Sequence, residues 1–132
     1  MMAKNSLEKK IYYHDTDCGG VVYHAAYLDH LEEGRTEFLR GKGIDVGELA
    51  RHGTIFPVVR IEIDYKFPAV YGDTIKVVTS IEKVGHASIN FDQEIKKGDT
   101  LLLKAKVICA CVDANLKAKP IPATELSKLK IV

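Results

Sequence analysis

Apolar residues recur along this chain with two different periods. Between His24 and Arg40 the spacing is helical, with Tyr27, Leu28, Leu31, Phe38 and Leu39 on one broad face. Gly34 lies on the same side, where a missing side chain permits close packing against a sheet at some cost in helix propensity. Asp29, Glu32, Glu33, Arg35 and Glu37 are placed toward solvent. Gly41 and Gly43 end the helix, and Ile44 to His52 reads as another short helical turn. From residue 58 the period is two. Val59, Ile61, Ile63, Tyr65 and Phe67 alternate with Val58, Arg60, Glu62, Asp64 and Lys66, which predicts a half-buried strand.

Pro68 and Tyr71-Gly72-Asp73 break that strand. Ile75, Val77, Thr79 and Ile81 carry the next one, Gly85-His86 turns the chain, and Ile89, Phe91, Gln93 and Ile95 carry a third. Lys97-Gly98-Asp99 predicts a tight hairpin into a long apolar strand from Leu101 to Val112, whose composition suits a central position or an oligomer interface. Ahead of the helix, Leu7 to Tyr13 reads as a short first strand and residues 15–20 as a loop. The order is strand, long helix, four antiparallel strands: an α+β domain over residues 1–132, with the helix laid across one face of the sheet. An open edge in such a sheet needs pairing, and a two-fold axis through the edge supplies it.

Composition narrows the setting. The 132 residues carry a net charge of +1, which argues against a nucleic-acid surface. No apolar run approaches the roughly 20 residues of a membrane span, and residues 1–10 hold no apolar signal core, so a cytoplasmic protein is expected. Three cysteines at no disulfide-framework spacing fit a reduced compartment. Cys109 and Cys111 point to one face of their strand and read as small buried apolar groups, so neither metal nor other cofactor is expected.

The chemistry is concentrated before the helix, in Tyr13-His14-Asp15-Thr16-Asp17-Cys18-Gly19-Gly20-Val21-Val22-Tyr23-His24. Glycines let the backbone approach a ligand closely, and a helix start offers unpaired N–H groups with partial positive charge. Together these could hold an oxyanion near a carboxylate base or nucleophile, yet Asp17 on its own reads more readily as an Asx turn or a helix cap. Asp15 reads as structural, holding the loop through backbone N–H groups. Cys18 has no evident base to make it a nucleophile.

This segment closely resembles the 4-hydroxybenzoyl-CoA thioesterase family, and within it the Tol-Pal-associated acyl-CoA thioesterases. Glu33-Gly34-Arg35-Thr36-Glu37-Phe38-Leu39-Arg40, Pro57-Val58-Val59, Ile63-Asp64-Tyr65-Lys66-Phe67-Pro68-Ala69 and Tyr71-Gly72-Asp73 extend the resemblance from about Ile11 to Pro122. It departs at His14, where the branch commonly has an acid, and at Gly85-His86-Ala87-Ser88, where a basic residue and two serines are usual. The resemblance implies a hot-dog fold, in which a sheet wraps a central helix. It also implies hydrolysis of an acyl-CoA, with a short or medium aliphatic chain, by a homodimer or a homotetramer built as a dimer of dimers. Asp17 matches the catalytic carboxylate. His24 contributes its side chain or its backbone N–H, and Tyr13 either bonds near the acyl group or packs at an interface. Gly20, Val22 and Tyr23 fall to substrate binding. A non-catalytic acyl-CoA sensor, a partner-binding hot-dog protein and an acyl-carrier-protein thioesterase are the other functions this fold could serve.

Overall fold

A computed structural model describes residues 4–130; the outermost ends of the domain expected over 1–132 lie outside them. Strand β1 (Lys4–Lys10) is followed by a single 3-10 turn at Tyr13–Asp15, then helix α1 (Ala26–Gly41) and short helix α2 (Val46–Arg51). Strands β2 (Val58–Tyr65), β3 (Thr74–Val84), β4 (Ser88–Lys97) and β5 (Thr100–Ala110) follow, and helix α3 (Ala123–Leu129) ends the described chain. The five strands form one antiparallel sheet in the order β1-β3-β4-β5-β2. This is the expected α+β hot-dog arrangement.

The period-two pattern of β3 and β4 is realised directly. Ile75, Val77, Thr79 and Ile81 point inward with Ile89, Phe91, Gln93 and Ile95, and all are buried. Helix α1 packs mainly across β1 and β3, and Phe38 meets Phe91 edge-on with ring centroids 6.3 Å apart. Gly34 lets it approach so closely: a Cβ there would sit 2.6 Å from Val77 Cγ1. Any side chain would push the helix off the sheet.

Several expectations change. The first strand ends at Lys10, because Tyr13–Asp15 curl into the 3-10 turn, and α1 begins at Ala26 rather than His24. Leu28, expected on the core face, is exposed, whereas Arg35, expected in solvent, is buried. Arg35 Nη1 donates to Gln93 Oε1 at 3.0 Å, and Gln93 Nε2 donates to Leu31 O and Thr79 Oγ1, both at 2.9 Å. The guanidinium is satisfied inside the core, although burial draws its pKa down. Strand β2 is not half-buried within the protomer: Val58, Val59, Ile61 and Tyr65 are all exposed. Strand β5 lies inside the sheet as expected, but Lys104 and Lys106 on its outer face are exposed. Cys109 and Cys111 are free and buried, and burial pushes both thiols up.

Candidate active site

The segment between β1 and α1 is tied down by backbone bonds and by one side-chain bond. Ile11 is fully buried, and its N–H donates to Asp73 O at 2.8 Å. The Asp15 carboxylate, also buried, accepts from Tyr12 N at 2.9 Å, the structural role expected of it. Thr16 and Val22 form an antiparallel bridge, and Val22 N donates to Ala69 O at 2.8 Å. Tyr23 N donates to Asp15 O at 3.1 Å. Residues 17–21 therefore stand out as a tight loop closed by Asp17 N donating to Val21 O at 2.9 Å. Gly20, at φ +86°, makes that reversal possible.

Asp17 stands exposed at the base of this loop. Its Oδ1 accepts from Gly19 N at 2.7 Å, so the carboxylate is oriented by an Asx turn. Among the described residues its other oxygen has no partner. The turn and a catalytic use are thus compatible: one oxygen is held and one is free.

His24 and Ala25 precede α1, and Ala25 occupies the N-cap with no side-chain cap. Ala26 N donates to Tyr23 O and Leu28 N to Ala25 O, but among the described residues the His24 and Ala25 amides donate to no acceptor. These are the orphan donors of a helix start. The His24 carbonyl accepts from Tyr65 Oη at 2.8 Å, which ties the helix entry to β2.

Val22, His24, Tyr27, Tyr65, Lys66, Phe67 and Pro68 line an open, mostly apolar trough. Tyr27 Oη accepts from Ala69 N at 2.9 Å, and burial pushes the pKa of both Tyr27 and Tyr65 up, so both phenols stay neutral. Of the expected substrate-binding residues, Val22 reaches this trough. Tyr23 turns to a second cleft with Tyr12, His14, Asp15 and His30. Tyr13 is 81% exposed and meets Tyr71 edge-on at 6.1 Å. Cys18 is a free, exposed thiol with no bonded base among the described residues.

Sequence reasoning passed over His30. It is buried on α1, with Nε2 3.3 Å from Asp15 Oδ1 and Nδ1 3.4 Å from Glu33 Oε1. Its position three residues after Tyr27 and four before Gly34 puts it on the apolar stripe, and a titratable residue there is the signal. Among the described residues no group of three His, Cys, Asp or Glu side chains is arranged to hold a metal, and no helix is long and apolar enough to cross a membrane.

Residues 12–129 match the thioesterase-like superfamily. The chain is 40% identical over 117 residues to the acyl-CoA thioesterase YbgC of Haemophilus influenzae, covering 88% of this chain and 85% of that protein. It is 37% identical over 123 residues to the acyl-CoA thioester hydrolase YbgC of Escherichia coli O157:H7, covering 92% of each. The crystal structure of a probable thioesterase from Bartonella henselae superposes with a TM-score of 0.87 at 34% identity, over 91% of this chain and 100% of that one. The chain therefore belongs to the thioesterase-like superfamily and, within it, to the hot-dog thioester hydrolases of the 4-hydroxybenzoyl-CoA thioesterase family.

Proposed function

We propose that this protein hydrolyses a short- or medium-chain acyl-CoA to the free carboxylate and coenzyme A, with Asp17 as base or nucleophile. The observation that carries the reading is the pairing of a half-free Asp17 carboxylate with the unpartnered His24 and Ala25 amides, at either end of one tightly tied segment. As base, Asp17 takes a proton from water while the water oxygen bonds to the thioester carbon; the C–S bond then breaks and the thiolate takes the proton. As nucleophile, its oxygen bonds to that carbon and expels the thiolate, and water opens the resulting anhydride. Both routes place negative charge on the carbonyl oxygen, which the helix-start amides are suited to receive.

The site draws on a second copy. Strand β2 is an edge strand whose inner-face residues Val58, Ile61 and Tyr65 are only partly covered and remain exposed. Antiparallel pairing of two such strands about a two-fold axis brings the Tyr65 end of one beside the Val58 end of the other. Tyr65 is bonded to His24 O, while Val58, Ile55 and Phe56 border an apolar cavity of about 280 Å³ beneath α1 and α2. Each protomer's cavity then serves as acyl pocket for the other's Asp17, and its size suits a short or medium chain. The exposed Lys66 beside the trough offers a cation to the coenzyme A phosphates.

The test is thiol release from acyl-CoAs running from acetyl to palmitoyl, with benzoyl included. Asp17→Asn is nearly isosteric and should lower turnover about a hundredfold or more while leaving the fold intact. Wild-type turnover in that variant overturns the site assignment. Tight acyl-CoA binding without release from any chain identifies a sensor, and release only from acyl-carrier protein moves the substrate class.

A further inference from the structure

Asp15 joins the two halves of the site. Its carboxylate holds Tyr12 N, and its carbonyl receives Tyr23 N, the residue before the candidate oxyanion donors. Two residues beyond it stands Asp17. The carboxylate's second oxygen, Oδ1, faces His30 Nε2 at 3.3 Å and His14 Nε2 at 3.6 Å. His14 is 82% exposed at its side chain, whereas the His30 side chain is only 5% exposed, so His30 is the buried contact. On its other side His30 faces Glu33, whose Oε1 is held by Lys9 Nζ at 2.6 Å on β1.

The His30 ring thus has a carboxylate at each nitrogen, and it carries an N–H toward at least one of them in every protonation state. Its Nε2 lies within ion-pair distance of Asp15 without the alignment of a hydrogen bond, and it has no other partner among the described residues. A contact of this kind restrains through proximity and packing rather than through a linear bond. Among the described residues the polar contacts of this ring are with Asp15 and Glu33 and not with Asp17, so the hydrolysis described above gives it no direct step.

We propose that His30 is a positioning residue for the hydrolysis, acting through Asp15 to fix the Asp17 carboxylate relative to the amides at His24 and Ala25. The proposal rests on the hydrolase reading above. It makes a distinct claim, that the geometry of the Tyr12–Tyr23 segment is set from helix α1. Misplacing a reacting group by about 1 Å can cost a hundredfold in rate. Loosening this anchor therefore acts on kcat and leaves the trough and acyl cavity, and hence KM, nearly unchanged.

Two variants separate positioning from bulk packing. His30→Gln keeps a donor near the place of Nε2, and His30→Leu removes it while filling the site. With the best acyl-CoA of the panel, His30→Leu should lower kcat about tenfold or more with KM within about twofold, and His30→Gln should keep kcat within about threefold. Amide hydrogen exchange gives a readout that needs no turnover: the Tyr12 and Tyr23 N–H groups should exchange faster in His30→Leu and as in the wild type in His30→Gln. Wild-type kcat and exchange in folded His30→Leu overturn the proposal. So does a loss of kcat without faster exchange, an equal loss in both variants, or a change carried by KM. If the wild type releases no thiol from any substrate, the hydrolase reading fails, while the exchange data still decide whether His30 anchors the segment.

Discussion

The sheet has two edges, and they are built in opposite ways. Edge strand β1 shows solvent Ser6, Glu8 and Lys10, while α1 covers its inner face through Lys9 and Glu33. Edge strand β2 exposes Val58, Val59, Ile61 and Tyr65, and Phe67 just beyond it is 62% exposed. The charges of β1 discourage a second strand from adding there. The apolar row on β2 is of the kind that marks an interaction surface. The difference follows from where the helix lies: α1 packs mainly across β1 and β3, so the inner face of β2 is only partly covered within the chain, with Ile63 against the core and Tyr65 against Tyr27. The trough beside His24 opens at that partly covered end. In this molecule the incomplete edge and the candidate site are one region.

The largest effect expected is therefore at the centre of β2. Ile61 faces inward, opposite buried Val107, yet is 37% exposed in the protomer. Ile61→Lys should leave the protomer folded, because the side chain reaches solvent there. In a strand-to-strand dimer it buries an unpaired ammonium near the axis, so dimer affinity should fall by about a hundredfold, roughly 3 kcal/mol. Sedimentation at several concentrations reads the affinity, and thiol release on the same samples reads whether turnover follows the dimer. Full turnover in a monomeric variant would show that one protomer holds a complete site.

The edge contrast also explains what the sequence could and could not reveal. Strands β3 and β4 were legible because their inward residues meet the helix of the same chain, so period and burial agree. The alternation in β2 is just as clean, but it points to a surface only partly covered inside the chain, and of its inward residues Ile63 is the best buried. Arg35 was misread because its charge suggested solvent, while its partner Gln93 lies 58 residues away and only the folded sheet brings them together. The strand expected through Tyr13 ends early because the Asp15 carboxylate turns back to Tyr12 N, a local bond that period-two counting does not register. Helix α3 went unread: seven residues after Pro122 are too few to establish a helical period. At the site, the motif pointed to Asp17 and to helix-start amides as candidates, and the roles proposed for them are those the resemblance implies. His30 escaped because a single polar residue on an apolar stripe has no motif to belong to.

A smaller effect separates the two functions combined in β2. Tyr65 lies on the inner face near the end of the strand, and its hydroxyl donates to His24 O. Tyr65→Phe removes that donor and keeps the ring that packs against Tyr27 at 5.8 Å. A half-exposed hydrogen bond of this kind contributes about 0.5–1.5 kcal/mol. Dimer affinity should stay unchanged while kcat falls about threefold to tenfold, by loosening the entry to α1. Equal losses in affinity and kcat would mean that the strand contributes to the site only by holding the dimer together.

The smallest effect belongs to β1. Glu8→Thr with Lys10→Thr removes two exposed charges and keeps residues that a strand accepts. Neither side chain borders the trough or the cavity proposed to hold the acyl chain, so turnover should match the wild type. Dimer affinity should match as well, because this edge lies at the far end of the strand order from β2. What should change is behaviour at high concentration, where an uncharged edge can add strands and form species larger than those of the wild type. Light scattering across a concentration series reads this directly. If the neutralised edge remains as inert as the charged one, the cover given by α1 is enough to protect β1, and the contrast between the edges lies in helix placement alone.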